Sequence, residues 1–274
     1  MGAKGPNGQH GGATDSTSRT FREFYERDGA QRNHWLDKET EVYVQLDNLR
    51  YDQIFRPLQG PYPRAADLGC GSGVVASRLV PISEMALAVD LTSVRLGQVR
   101  RSVPGARLLQ GDICSLPLRD ESLDLAVVSE VIEHLPDYRP ALQEIARVLR
   151  PGGTCVLSVP YRQDVEQHVC PHCLRSFPLH GHLHSFDSQS ARRVLEDAGL
   201  RPESFASLNN TVATKIGKLF DLPYPLLHLL DRALRRMLPH LNHHLVVFSR
   251  KEAAPCRAGT SADAARGATR RGTN

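Results

Sequence analysis

One dense set of reactive side chains in this 274-residue sequence is Glu130-Val131-Ile132-Glu133-His134, two carboxyl groups and an imidazole within five residues. Such groups can take a proton from a hydroxyl or an amine. His134 is the natural base, because a free imidazole titrates near neutrality. A second set surrounds a glycine loop, Asp67-Leu68-Gly69-Cys70-Gly71-Ser72-Gly73, which follows a short apolar run. Glycine turns tightly and carries no Cβ, so a ligand can lie against the backbone near the start of a helix. Asp90 closes the next apolar run, where an acid accepts hydrogen bonds from ribose hydroxyls. Gly111-Asp112 follows the third run, where a further acid can bond an adenine amino group. The ligand these positions suit is an adenosine derivative.

Two such ligands compete. Gly71-x-Gly73-x-x-Ala76 can be fitted to the nicotinamide dinucleotide fingerprint, which would imply an NAD(P)-dependent oxidoreductase. Asp67 argues against it, since a carboxylate beside the loop repels a pyrophosphate and attracts a cationic aminoacyl group. No dehydrogenase constellation follows downstream.

The elements that must position these residues alternate along the chain. Apolar runs at 65–68, 86–89, 107–109, 123–128, 154–159 and 244–248 read as strands. Helical stretches at 73–80, 92–103, 140–149 and 188–198 lie between them, several stopped by Pro or Gly. This alternation predicts an α/β fold with a doubly wound, mostly parallel sheet covered on both faces. Residues 20–60 read as a helical cover over the mouth of the site. Residues 1–19 and 252–274 read as a disordered lead and tail, which leaves 20–251 as a single domain.

These motifs together resemble the class I S-adenosylmethionine-dependent methyltransferases, in the small-molecule subgroup that includes the ubiquinone-type O-methyltransferases. The resemblance spans roughly residues 40–200 and the last strand. It is carried by the Asp67–Gly73 loop, Val89-Asp90, Gly111-Asp112-Ile113, Leu123 through Leu135, and Leu149-Arg150-Pro151-Gly152-Gly153. It implies a seven-stranded Rossmann-like sheet and S-adenosyl-L-methionine as cofactor. Asp67, Gly69, Gly71 and Gly73 would hold one end of that cofactor, and Asp90, Leu91, Asp112, Ile113 and Glu130 the rest. It also implies methyl transfer to a small-molecule or saccharide-type acceptor. A non-catalytic cofactor-binding subunit is the alternative, though the intact acids argue against it. Methyl transfer from a sulfonium is an in-line displacement, so the protein supplies chiefly alignment and, where needed, a base. Glu130, Glu133, His134 and His184 are the candidates. Related enzymes use a similar Glu-x-x-Glu-His cluster to bind Mg²⁺ or Mn²⁺, with His182 or His184 as a later ligand.

Residues 161–187 form a His-rich insertion, Cys170-Pro-His-Cys173 followed by His180-Gly-His182-Leu-His184. A C-x2-C pair with nearby His has zinc-ligand chemistry. Cys170, Cys173, His180 and His182 are the expected Zn²⁺ ligands, although the spacing matches no standard finger, and a metal-free polar loop is the bland alternative. Residues 215–238 form an apolar block whose leucines recur at helical spacing with Arg232, Arg235 and Arg236 opposite. It reads as a lid or core helix, or else as a helix making peripheral membrane contact.

Composition narrows the rest. Hydrophobic residues make up 41% and charged residues 23%, ordinary values for a globular chain. The net charge of +4 sits largely in the two ends and leaves no dedicated nucleic-acid surface. Scattered cysteines, no signal-like start and no apolar run of membrane-spanning length point to a reducing, cytoplasmic setting. The oligomeric state and the acceptor atom are not encoded in any motif.

Overall fold

The computed structural model describes residues 22–27, 30, 41–165, 167–169, 173–178 and 181–252. The expected disordered lead (1–19) lies outside them, as does the expected tail apart from Glu252.

In chain order the elements are α1 (residues 22–27), α2 (Glu41–Phe55), β1 (Tyr62–Leu68), α3 (Val74–Leu79), β2 (Ser83–Asp90), α4 (Ser93–Ser102) and β3 (Ala106–Gln110). There follow β4 (Leu123–Ser129), α5 (Arg139–Val148), β5 (Leu149–Pro160) and the short hairpin β6 (Gln167–Val169) and β7 (Ser176–Pro178). The chain then forms α6 (Ser188–Asp197), β8 (Leu200–Asn210), α7 (Thr211–Phe220), α8 (Tyr224–Met237) and β9 (Asn242–Lys251). The main sheet has seven strands in the order β3-β2-β1-β4-β5-β9-β8. β1 to β5 are mutually parallel, and β9 runs antiparallel to both β5 and β8.

Burial on both faces explains the composition of the central strands. Along β5, Cys155, Leu157 and Val159 pack on one side with Leu142 and Ile145 of α5 and Leu195 of α6. Val156 points to the other side, into a core with Leu49 and Ile54 of α2, Leu79 of α3, Ala213 of α7 and Leu227 of α8. The strands therefore lack an alternating polar face and read as continuous apolar runs. Fully burying one such Leu or Ile side chain contributes roughly 1.5–3 kcal/mol.

β8 was not expected as a strand. Its sequence, Leu-Arg-Pro-Glu-Ser-Phe-Ala-Ser-Leu-Asn-Asn, has little β-propensity and only its ends are buried, which suits an edge strand. The 161–187 insertion likewise carries a small β6–β7 hairpin where a loop was expected.

Candidate functional site

The carboxyl ends of β1, β2, β4 and β5 converge at the point where strand order reverses on either side of β1, the usual crevice of an open α/β sheet. The glycine loop leaves β1 there. Gly69 and Cys70 N–H both donate to Val89 O, at 2.8 and 2.9 Å, which ties the loop to β2. Gly69 has φ +82°, and a Cβ on it would lie 2.5 Å from Val131 Cγ2. Gly71 has φ +48°, yet a Cβ there would meet no protein atom within 4 Å. Its outer side therefore remains open for a ligand to approach the backbone, as an adenosyl cofactor requires.

Asp90 is held by the loop it serves. Its Oδ2 accepts from Gly71 N–H, and its Oδ1 accepts from the N–H and hydroxyl of Thr92, all at 2.9 Å. A carboxylate has about four acceptor positions, so one remains for a ribose hydroxyl. Burial raises its pKa, offset in part by these donors and by Arg95. Asp112 accepts from Cys114 N–H at 2.8 Å and ends the β3 loop, with Ile113 buried behind it. Leu91 follows Asp90, and its carbonyl accepts from Gln110 Nε2.

Asp67 is buried and accepts from Ala76 N–H at 2.9 Å, so it also fixes α3 against β1. Burial, with Asp90 nearby adding to it, pushes its pKa up to about 8 even though the Ala76 N–H works the other way. A carboxyl group in that state gains a great deal when a cation approaches.

The second half of the site lies past β4. Glu130 has φ +56°, a conformation a non-glycine residue holds at a cost on the order of 1–3 kcal/mol and which concentrates at functional sites. Its Oε1 accepts from Ser158 Oγ at 2.8 Å, and its Oε2 lies 3.8 Å from Arg50 and 3.6 Å from His244. Burial alone would raise its pKa, but His244, Arg50 and Ser158 outweigh it, so Glu130 is held as the carboxylate. Burial pushes His244 down to about 4 although Glu130 opposes it, so near neutral pH its imidazole is neutral and offers Glu130 only an N–H dipole, and Arg50 is the cation that holds the carboxylate. Asn209 Nδ2 approaches His244 Nδ1 at 3.1 Å and can only donate, which leaves the Nε2 hydrogen facing Glu130.

Glu133 is fully buried, and neither carboxyl oxygen has a hydrogen-bond partner. Burial, followed by the charge of Glu130, raises its pKa well above the ordinary value. His134 Nε2 lies 3.8 Å from Glu133 Oε1, while His134 Nδ1 lies 3.2 Å from Gly181 O. A carbonyl only accepts, so the hydrogen is on Nδ1 and Nε2 is the basic nitrogen. His182 stacks edge-on to His134 with ring centroids 4.8 Å apart and is oriented by Gln163 Oε1 at 2.8 Å from its Nδ1. One ligand atom from each of Glu133, His134 and His182 lies within 4.8 Å of the others, and among the described residues this is the one such trio. An unpartnered buried carboxyl group beside two imidazoles fits a divalent cation. One carboxylate with two imidazoles favours a borderline ion such as Fe²⁺ or Zn²⁺ and, among the harder ions, Mn²⁺ over Mg²⁺.

The structure thus gathers Glu130, Glu133, His134 and His182. His184 has a different task. Its Nε2 bonds Leu135 O at 2.8 Å and its ring packs on Tyr138, while Leu183 and His184 N–H donate to Glu133 O. It fastens the insertion to the turn at Ile132–His134. Of the expected zinc ligands, Cys170 and His180 lie outside the described residues, Cys173 is exposed beyond β6, and His182 is drawn to Glu133 and His134. Of the expected N-terminal cover (20–60), the described residues place α2, which supplies Arg50, and α1, whose Tyr25 lies edge-on to His134 at 6.3 Å. Sequence reasoning missed Arg50, Ser158, His244 and Asn209. Each reaches Glu130 or its partners from another element, and no local spacing marks it.

This sheet order, with its glycine loop and strand-end acids, defines the class I, Rossmann-like methyltransferase fold. Comparison with known proteins agrees. The family model described as "Methyltransferase domain" matches residues 66–157. A "Probable S-adenosylmethionine-dependent methyltransferase" of Mycolicibacterium smegmatis is 28% identical over 175 residues, covering 64% of this chain and 62% of its own length. A demethylmenaquinone methyltransferase of Chlamydia caviae is 36% identical over 108 residues, covering 38% of this chain and 46% of its own. The chain therefore spans about half to three-fifths of the length of these relatives. A solved structure of the 1,6-didemethyltoxoflavin-N1-methyltransferase of Burkholderia thailandensis superposes with a TM-score of 0.52 at 19% identity, covering 92% of this chain and 94% of that one. Over residues 66–157 the chain is thus similar to S-adenosylmethionine-dependent methyltransferases, and it shares the class I methyltransferase fold. The dinucleotide reading of the glycine loop is not the one these matches support.

Proposed function

We propose that the protein transfers a methyl group from S-adenosyl-L-methionine to a small organic acceptor that enters over Glu130, Glu133 and His134. The observation that carries this is one juxtaposition. The loop and Asp90 can hold an adenosyl group, and the trio at the ends of β4 and the insertion lies at the same edge of the sheet. Relatives are named for demethylmenaquinone and for 1,6-didemethyltoxoflavin, both small organic acceptors.

Asp67, Gly69, Gly71 and Gly73 cradle the aminoacyl end, Asp90 and Leu91 the ribose, and Asp112 and Ile113 the adenine. His134 Nε2 takes the acceptor proton, since its Nδ1 hydrogen is committed to Gly181 O. Glu130, held as the carboxylate by Arg50, His244 and Ser158, orients the acceptor and stabilises the positive charge that develops there. A divalent ion on Glu133, His134 and His182 would polarise an acceptor oxygen and ease loss of its proton. His134 would then be a ligand, and the proton would leave to solvent.

The test is incubation with methyl-labelled S-adenosylmethionine and a panel of phenols, quinols, amines and sugars, read by mass spectrometry. Labelled product together with S-adenosylhomocysteine is expected. Cofactor binding without turnover of any acceptor assigns the chain to the non-catalytic subunits, and binding of NAD⁺ with none of S-adenosylmethionine overturns both readings.

A further inference from the structure

The α7–α8 hairpin turns large apolar side chains outward. Leu219, Phe220, Leu226, Leu229 and Met237 are 52–76% exposed. The hairpin's inner face is anchored on the core through Ala213, Gly217, Leu227 and Asp231, so this exposure is not loose packing. Gly217 of α7 lets α8 approach closely: a Cβ there would lie 2.9 Å from Leu227 Cδ1, and Leu227 is completely buried. The root is tied as well. Asp231 Oδ1 accepts from Asn210 N–H at 2.7 Å, and Asn210 Nδ2 donates to Leu238 O at 2.9 Å. Tyr224 of α8 donates its hydroxyl to Asp52 of α2.

The outward charges are almost all of one sign. Lys215, Lys218, Arg232 and Arg236 are exposed, whereas Asp221 is the one exposed acid between residues 211 and 237, Asp231 being buried. On α8, Leu226, Leu229, Ala233 and Met237 recur at three- and four-residue spacing, with Arg232 and Arg236 beside them on the same outward side. Apolar side chains flanked by cations match the boundary between acyl chains and anionic headgroups. A second copy of this chain fits poorly, because a two-fold pairing would set two such cationic groups against each other.

The hairpin also springs from the functional edge of the sheet. β8 runs in the same direction as β5, and its last residue, Asn210, pairs with Asn242 at the start of β9. His244, two residues along β9, faces Glu130.

We propose that the outer face of the α7–α8 hairpin docks on an anionic lipid bilayer, so that the protein works at a membrane surface and draws a lipid-soluble acceptor from it. The choice of acceptor rests on the methyl-transfer reading; the docking does not.

The experiment is flotation of the full chain with vesicles of phosphatidylcholine alone, and of phosphatidylcholine containing one-third phosphatidylglycerol, at low and high salt. Binding to the anionic vesicles is expected, weaker at high salt. Each cation at the surface contributes roughly fivefold, so a Lys218→Glu, Arg232→Glu, Arg236→Glu variant should lose on the order of a hundredfold or more. A Leu219→Ser, Phe220→Ser, Leu226→Ser, Leu229→Ser variant should lose at least tenfold. All seven side chains are exposed, so both variants should keep the wild-type circular dichroism and calorimetric affinity for S-adenosylmethionine. Failure of the wild type to bind either vesicle, or wild-type binding by both variants, overturns docking. So does a concentration-dependent dimer abolished by the serine variant, which would assign the face to a second copy. Vesicle binding by a wild type that does not bind S-adenosylmethionine would sink the methyl-transfer reading and leave the docking standing.

Discussion

If the cofactor binds beside Asp67 as proposed, the raised pKa of that carboxyl group should make binding a proton-linked reaction. In the ligand-free protein its pKa is about 8, so at pH 7 about nine chains in ten carry a proton there. The sulfonium and ammonium of S-adenosylmethionine favour the carboxylate. Their arrival beside the glycine loop should return Asp67 to its ionised form and expel about 0.9 proton per binding event at pH 7. The release should fall to about 0.5 at pH 8 and about 0.1 at pH 9. Deprotonating Asp67 at pH 7 costs about 1.4 kcal/mol, and at pH 9 almost nothing, so Asp67 by itself favours binding about tenfold more at pH 9, while the ligand's ammonium, losing its own proton at about pH 8, works against it. The sign for stability is the reverse. The raised pKa gives the ligand-free protein stability that is complete below about pH 4 and lost as the pH rises through 8, with a slope of about 1.4 kcal/mol per pH unit between them. Asp67→Asn keeps an oxygen for Ala76 N–H and removes the titration. Titration calorimetry in buffers of low and high ionisation enthalpy, comparing wild type with Asp67→Asn, separates this proton from the one on the ligand's own ammonium. Equal heats in both buffers for the wild type, or urea-unfolding curves whose pH slopes match in the two proteins, would refute the reasoning.

Asp90→Ala should weaken S-adenosylmethionine binding by about 1.5–3 kcal/mol, because it removes a charged acceptor and frees Gly71 N–H; unchanged affinity by calorimetry would remove Asp90 from the site. Gly69→Ala should destabilise by roughly 1–3 kcal/mol, since it adds a methyl group 2.5 Å from Val131 Cγ2 at φ +82°. Val131→Ala in the same chain should recover the steric part only, and thermal melts of the wild type and these two variants decide it. Chelator-stripped protein should bind about one Mn²⁺ by electron paramagnetic resonance, and His182→Ala should abolish it. Zinc found by elemental analysis and lost in Cys170→Ser, with Mn²⁺ binding unaffected, would place an intrinsic metal in the insertion instead.

The alternation of apolar runs and helices was enough to fix the central architecture, because strands buried on both faces are mostly apolar and admit a polar residue only where it is hydrogen-bonded or ion-paired, as Asp67, Asp124 and Ser158 are. Asp67, Asp90 and Asp112 were legible for a related reason. In a parallel sheet the functional positions fall at strand ends, and each end follows such a run. β8 left no comparable trace, since an edge strand with Arg201, Pro202 and Glu203 is held by its pairing with β9 rather than by its own propensity. The electrostatics were likewise a tertiary outcome. Glu130 and Glu133 are three residues apart, yet one is pushed down by Arg50 and His244 and the other up by burial and by Glu130 itself. His182 and His184 looked equivalent in the insertion. The fold turned one toward Glu133 and used the other to bond Leu135 O, because a backbone carbonyl and a buried carboxyl group select different imidazoles only once the loop has closed.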